Sequence, residues 1–245
     1  MDLKRGISSR LTFNPAWEYF PVWSPDGSRI LFDSSRDVAR SGGSPGNLFI
    51  KSSAGAQTEE LLFKSELWKW PNDWSPDGRY ILFHALDPKT KADLWVLPLT
   101  GDRTPHVFLQ TEFSEEFGQF SRDGHFVAYV SDESGRQEVY ARPFPASDIK
   151  WQISSNGGHD PKWRRDGKEL MYEAPDGKLM SVKVKLLPSF QAEKPEPLFN
   201  PHFGDRMSRH QYALNEDGQR ILAIVRNETL PITVVTDWSR DLDLK

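Results

Sequence analysis

The 245-residue sequence contains no cysteine, which excludes disulfides, thiol catalysis and zinc–thiolate sites. No apolar stretch reaches the roughly 18–20 residues of a membrane-spanning helix, so we expect no membrane insertion by this chain itself. The first residues show no apolar segment of the kind that a signal peptide has. Lys and Arg number 31 against 35 Asp and Glu, and no basic stripe stands out, which argues against nucleic acid as a partner.

Aromatic residues, by contrast, make up 12% of the chain, and several belong to a pattern that recurs five times. Each copy has an aromatic residue or Leu, two further residues, then Asp-Gly and a β-rich run. The copies are Trp23-Ser24-Pro25-Asp26-Gly27, Trp74-Ser75-Pro76-Asp77-Gly78, Phe120-Ser121-Arg122-Asp123-Gly124, Trp163-Arg164-Arg165-Asp166-Gly167 and Leu214-Asn215-Glu216-Asp217-Gly218. We call the first residue of each copy its register residue. The Asp positions lie 51, 46, 43 and 51 residues apart, so five similar units fill almost the whole chain.

Each copy has the chemistry of a hairpin turn, since Ser and Pro favour a type I turn and the Gly supplies a left-handed conformation. Further β-rich runs predict four short antiparallel strands per unit, with no helical apolar stripe between them. We therefore predict an all-β fold, a β-propeller of four-stranded antiparallel blades that forms a single domain over 1–245. The expected blades cover about 14–64, 65–111, 112–156, 157–201 and 202–238, the last together with 8–13.

The ends of the chain leave two interpretations open. The last unit lacks a fourth strand of its own, and 8–13 looks like a fourth strand without its first three. In one interpretation this N-terminal strand completes blade five and closes the ring, which removes two exposed sheet edges. In the other, the five repeats are part of a six-bladed or larger propeller.

The segments Trp23–Phe32 and Trp74–Phe83 follow the pattern Trp-Ser-Pro-Asp-Gly-x-x-Ile-x-Phe, which resembles the TolB-like, or WD40-like (PD40), propeller repeat. More narrowly, Asp93–Leu99 and Glu138–Pro145 are similar to propeller regions C-terminal to bacterial serine/threonine kinases. The resemblance implies a bacterial, non-catalytic sensor or interaction module with a periplasmic or extracytoplasmic location. It also implies six blades, whereas five repeats are present. The sequence itself has no kinase motif.

Large side chains that repeat at one register are expected to pack between neighbouring blades. We therefore predict that the five register residues are core rather than a platform for a ligand. The Asp of each turn is expected to cap the turn rather than to bind calcium, because each blade contributes only one.

The residues four and five positions before each register residue do not repeat from blade to blade. They stand at the entry to the innermost strands, which line the channel of a propeller, so we expect them to ring one mouth. The candidate ligand-binding residues are Tyr19, Trp70, Lys69, Glu115, Glu116, His159, Arg209 and His210. The alternative is a solvated rim without a function.

This set favours binding over catalysis, and we predict no catalytic residue and no cofactor. The G-x-S-x-G match around Ser44 fails as a nucleophile site, because the following Pro45 has no N–H for an oxyanion hole. The expected partner is a protein, peptide or glycan held at the channel mouth, within a kinase-linked or cell-envelope system. One alternative is a propeller lyase or hydrolase with a His-based channel site, with Glu116, His159 and His210 as secondary metal-ligand candidates. Another is a structural interaction scaffold.

Overall fold

A computed structural model describes residues 10–36, 46–55, 58–204, 210–215, 218 and 220–225, and the backbone of 233–236. Its regular elements in these ranges are twenty β-strands in five antiparallel sheets, one for each predicted blade. The all-β propeller fold is thereby confirmed. In the described part of the chain no helix is long and apolar enough to cross a membrane.

Each blade is a meander whose strands run outward from the channel. The innermost strands are β1 (Glu18–Trp23), β5 (Trp68–Trp74), β9 (Glu115–Phe120), β13 (His159–Trp163) and β18 (Tyr212–Leu214). The second strands are β2 (Arg29–Ser34), β6 (Tyr80–Asp87), β10 (Phe126–Ser131), β14 (Glu169–Glu173) and β19 (Arg220–Ala223). The third strands are β3 (Asn47–Ser52), β7 (Lys91–Pro98), β11 (Glu138–Pro143), β15 (Leu179–Lys185) and β20 (Thr233–Thr236). The outer strands are β4 (Glu60–Phe63), β8 (His106–Leu109), β12 (Trp151–Gln152) and β17 (Glu196–Phe199), and blade four adds β16 (Gln191–Ala192) against β15.

The predicted turns form, and the Asp of the first one caps it. The Gly27 N–H donates to the Ser24 carbonyl at 2.9 Å, and Gly27 has a φ of 69°. The Asp26 carboxylate accepts hydrogen bonds from the Ser24 hydroxyl at 2.6 Å and the Ser28 N–H at 3.0 Å. These hydrogen bonds lower the pKa of Asp26 to about 2. The corresponding glycine N–H closes the other four turns at 2.8–3.1 Å.

Buried apolar clusters join successive blades. Leu31 and Ile50 of blade one pack with Phe83 of blade two, and Leu82 of blade two packs with Tyr129 of blade three. Further clusters join blade three to four and blade four to five. Within the described ranges no such cluster joins blade five to blade one.

The N-terminal strand predicted at 8–13 is not observed over its described part. Residues 10–13 carry no strand, 8 and 9 lie outside the described residues, and blade five shows the three strands β18, β19 and β20. Leu11 packs instead against Ile30, Phe32 and Phe49. The N-terminal segment therefore lies on an apolar face of blade one, and the blade boundaries stay a prediction.

An irregularity recurs in the innermost strands three residues before the register residue. Pairing with the second strand shifts there in β1, β9 and β13, and Phe20, Phe117 and Asp160 take φ values of 53°, 56° and 48°. The pairing of β5 shifts beside Pro71. Because a bulge bends the strand and re-aims its side chains, neighbouring residues at this point face different surroundings.

Candidate functional site

The innermost strands of the five blades surround one channel. At the end of the channel where the innermost strands finish, all five register residues line a single depression of about 280 Å³. We call this end the turn mouth, because the Asp-Gly turns follow it. A second cavity, of about 300 Å³, lies along the same strands and is bordered by Asp73, Gln119, Lys162 and His210. We call the end where the innermost strands begin the entry mouth.

Two stacked pairs of aromatic side chains mark the entry mouth. Tyr19, 45% exposed, stacks on Trp17, 71% exposed, with ring centroids 5.8 Å apart. Trp70, half-buried, stacks on Trp68, 38% exposed, at 6.1 Å. The sequence analysis identified Tyr19 and Trp70 but missed their partners. The missed signal was the two-residue spacing, which places side chains on one face of an extended chain.

A line of rings leads inward from Trp70 to the two predicted histidines. The ring centroid of His84 lies 5.0 Å from that of Trp70 and 6.4 Å from that of Phe117. The ring centroid of Phe117 in turn lies 4.1 Å from that of His159 and 6.1 Å from that of His210. Both His84 and Phe117 are buried. Sequence reasoning missed His84 because it stands on a second strand, and only the entry to the innermost strands was surveyed.

His210 belongs to a charged cluster at the inner end of this line. Its Nδ1 lies 2.8 Å from Oδ1 of Asp160 and 2.9 Å from Nζ of Lys162, and the last two atoms are 3.1 Å apart. Asp160 is fully buried and also accepts the Gln211 N–H at 3.0 Å. Burial opposes its ionisation, but the charges of Lys162 and His210 hold the pKa of Asp160 well below its usual range. The cluster places a carboxylate, an imidazole and an ammonium at one point of the channel.

Two of the predicted mouth residues do not face the mouth. Lys69 and Glu115 are each 1% exposed. The Lys69 ammonium donates to oxygens of both blade one and blade two, and burial lowers its pKa to about 8. Oε1 of Glu115 accepts the Thr111 hydroxyl at 2.5 Å. The assignment of both residues to the mouth is therefore wrong, because successive side chains of a strand point to opposite faces.

Of the remaining predicted residues, the structure describes Glu116. Glu116 is half-buried and accepts the Ser114 hydroxyl at 3.1 Å. Arg209 lies outside the described residues, as does Ser44. In the part of the chain that the structure describes, no three His, Cys, Asp or Glu side chains come close enough to hold a metal, which includes Glu116, His159 and His210.

The register residues divide between core and surface. Trp74 and Phe120 are buried as predicted, while Trp163 and Leu214 are half-buried. Trp23 is 58% exposed, so its assignment to the core is wrong. Trp74 packs in the cluster that joins blades one and two. Trp23 has no such neighbour, since no described core cluster joins blade one to blade five.

An ionisable group lies in the channel between the two mouths. Oδ2 of Asp73, on β5, accepts the Phe120 N–H at 2.8 Å. Burial raises the pKa of Asp73 to about 6, against the opposing effects of its hydrogen bonds and of the Lys162 charge. Ionisation of Asp73 therefore adds a negative charge to the channel above about pH 6.

The fold is shared with solved structures, although no family model and no curated protein matches the sequence. TolB from Acinetobacter baumannii has a TM-score of 0.71 and 16% identity over 94% of this chain, which spans about half, 54%, of the TolB structure. An oligogalacturonate lyase in complex with manganese has a TM-score of 0.65 and 13% identity, covering 92% of this chain and 66% of the lyase. The β-propeller domain of Cps50 (Swd1) from Myceliophteria thermophila has a TM-score of 0.58 and 13% identity, covering 96% and 74%.

These likenesses define the class of protein. The chain is a β-propeller, and its fold is similar to those of TolB and of the Cps50 (Swd1) propeller domain. At such identities the likeness concerns the fold, and the neighbours include a lyase as well as TolB. The similarity to kinase-linked propellers stays a prediction.

Proposed function

We propose that this chain is a non-catalytic binding propeller that recognises a polypeptide segment at the entry mouth. The observation that carries the proposal is the set of aromatic rings there: two stacked pairs at the rim, and a line of buried rings behind Trp70. Exposed aromatic groups of this size on a rigid sheet are typical of a site that a partner covers.

The residue types at this mouth suit a polypeptide partner. Trp and Tyr are enriched in protein interfaces and carry much of their binding energy. Behind them, Asp160, Lys162 and His210 offer both signs of charge within one cluster. A segment with an apolar side chain flanked by polar groups would match this order of surfaces, the rings stacking on the apolar part and the cluster meeting the polar part.

The propeller would serve as a recognition module of a larger system. The predicted resemblance to kinase-linked propeller regions would make it the sensor part of such a system, and the similarity in fold to TolB favours a cell-envelope role. The chain spans about half of the TolB structure, 54%, so the shared fold does not by itself assign the activity of a whole protein.

The test is a selection of random peptides, displayed on phage, against the immobilised wild-type protein. Selected peptides are synthesised with a fluorophore, and their dissociation constants are measured by fluorescence polarisation. We expect Trp70→Ala and Trp68→Ala to weaken binding by about tenfold or more, as loss of an interface aromatic commonly does. Trp23→Ala is the matched control, because it removes an exposed tryptophan from the turn mouth.

The outcomes separate the candidate sites. If Trp23→Ala weakens binding and Trp70→Ala does not, the ligand occupies the turn mouth and the proposal fails. If only a change on an outer strand, such as Val107→Ala on β8, weakens binding, the chain is a scaffold that uses its outer faces. A parallel glycan array tests the other ligand class, and glycan binding that depends on Trp70 would replace the polypeptide.

The cluster of Asp160, Lys162 and His210 favours an enzyme as the second candidate function. An imidazole held by a buried carboxylate beside an ammonium has the groups of a proton-transfer centre. The structural similarity to an oligogalacturonate lyase gives the substrate to test. Incubation with oligogalacturonate, with and without manganese, followed by mass spectrometry of the products, would show cleavage that His210→Ala abolishes if this alternative holds.

A further inference from the structure

The residue five positions before a register residue enters a niche between its own blade and the preceding one. Between blades one and two that residue is Lys69, which is buried. Its ammonium donates to four oxygens: Gly46 O at 2.8 Å, Asn47 Oδ1 at 3.3 Å, Ser65 O at 3.1 Å and Leu67 O at 3.0 Å. This niche is therefore a cage of oxygen atoms around a positive charge.

The niche between blades two and three has the same place in the fold but carries two carboxylates. Glu115 stands where Lys69 stands, five residues before the register residue. Asp93 corresponds to Asn47 in the repeat. The residue after Asp93, Leu94, pairs with the residue ten positions after Trp74, and the residue after Asn47, Leu48, pairs with the residue ten positions after Trp23. Asp93 is fully buried and Glu115 is 1% exposed. Burial, together with the charges of Asp93, Asp132 and Glu133, raises the pKa of Glu115 to about 7.

In each of these two carboxylates only one of the two oxygens accepts hydrogen bonds from the described residues. Oδ2 of Asp93 accepts the Thr90 hydroxyl at 2.6 Å and the Gln110 side-chain amide at 2.9 Å. Oε1 of Glu115 accepts the Thr111 hydroxyl. The other two oxygens, Oδ1 of Asp93 and Oε2 of Glu115, are buried and accept no hydrogen bond from any described residue. Such atoms are rare, because a buried polar atom without a partner costs about 1–3 kcal/mol.

The next niche shows that a buried carboxylate at this place is otherwise fully paired. Between blades three and four, the carboxylate of Glu138 accepts hydrogen bonds from Arg136 Nε at 2.7 Å, from the Gly157 N–H at 2.9 Å and from the Ser154 hydroxyl. The entering residue there is Gly158, and a Cβ on it would lie 2.7 Å from Ser154 Oγ, so no side chain fits. The buried carboxylate in this niche is thus paired on both oxygens, unlike those of Asp93 and Glu115.

We propose that the niche between blades two and three binds a divalent, oxygen-seeking cation of the calcium class through Asp93 and Glu115. By their place in the repeat, the carbonyls of Thr111 and Phe113 correspond to those of Ser65 and Leu67, which accept from the Lys69 ammonium in the preceding niche. Calcium accepts two carboxylates completed by carbonyls and water. Zinc-type sites need nitrogen or sulfur ligands that this niche lacks.

The experiment titrates calcium chloride into the chelator-treated full chain by calorimetry and records thermal unfolding with and without calcium. We expect one calcium ion per chain and a rise in melting temperature of about 5–10 °C at a hundredfold excess over Kd. Glu115→Gln and Asp93→Asn should each abolish the calcium heat and the shift. Glu115→Lys should give a calcium-independent protein that melts above the calcium-free wild type, because its ammonium fills the niche as Lys69 fills the preceding one.

The matched control is Glu138→Gln, which removes a buried carboxylate from the equivalent place in the paired niche and should keep the calcium shift. Absence of a calcium heat and of a shift in the folded wild type would overturn the proposal, and the two carboxylates would then share a proton. Calcium binding that persists in both Glu115→Gln and Glu115→Lys would overturn it too, since the ion would bind elsewhere. These two variants decide the matter even if Asp93→Asn does not fold.

Discussion

Replacing Trp74 by alanine tests whether packing between neighbouring blades holds the propeller together. Trp74 is 3% exposed, and its indole N–H donates to the Gly78 carbonyl at 3.2 Å. The guanidinium of Arg29, from blade one, lies 4.9 Å above its ring. Trp23 occupies the same register in blade one but is 58% exposed, so the pair compares a buried with an exposed tryptophan at one place in the repeat.

The structure sets the size of the effect for each variant. A buried aromatic side chain removes about 150–250 Å² from water, which at about 25 cal/mol per Å² corresponds to about 4–6 kcal/mol. Measured losses for such truncations are about 3–5 kcal/mol, and we expect that range for Trp74→Ala. A little under half of Trp23 is covered and no enclosed cavity would remain, so Trp23→Ala should cost at most about 2 kcal/mol.

Urea unfolding followed by far-ultraviolet circular dichroism measures both losses, since this signal does not depend on tryptophan emission. We expect the midpoint for Trp74→Ala to fall well below that for Trp23→Ala, with similar slopes. Equal midpoints for the two variants would refute the argument that inter-blade burial, rather than the turn that follows, makes the register residue stabilising.

Three further predictions concern the channel and the niches. Gly118→Ala should destabilise by about 1–3 kcal/mol in urea unfolding, because its Cβ would lie 2.5 Å from Leu82 Cδ2. Asp160→Asn should cost about 3–5 kcal/mol by the same measurement, because it leaves the charges of Lys162 and His210 without their buried partner. With a chelator present, stability should fall as pH rises from about 4.5 through about 7, because the raised pKa of Glu115 means that the folded chain holds a proton that the unfolded chain releases. Glu115→Gln should remove about 2–3 kcal/mol of this pH dependence, and an unchanged profile would contradict it.

The repeat was predictable because its information is local. Ser24, Asp26 and Gly27 satisfy one another within a few residues, so the same letters make the same turn wherever they occur. Alternating apolar runs next to such turns then specify strands. The closing of the ring was not predictable in this way, because it depends on which surface the N-terminal segment meets, and Leu11 meets blade one.

The exposure of individual register residues also escaped prediction. Trp23 and Trp74 have the same four residues after them, yet one is exposed and the other buried. The difference lies in the preceding blade: blade one supplies Leu31 and Arg29 to Trp74, and no described core cluster supplies an equivalent to Trp23. A repeat pattern defines the place of a side chain, while its neighbour across the blade boundary decides its burial.

The sequence predicts a function for the positions that do not repeat from blade to blade. The structure divides these positions into two groups by a physical criterion. Variation five residues before the register residue is complementarity between blades. Lys69 meets oxygens, and Gly158 leaves room for Ser154, whose hydroxyl donates to Glu138. Variation one residue later places the rings of Tyr19 and Trp70 at the rim, where they stack on Trp17 and Trp68. Lack of repetition therefore points to a ligand only where the neighbouring blade does not complement the side chain. By that criterion Glu115 qualifies, because its neighbour across the niche, Asp93, is also a carboxylic acid.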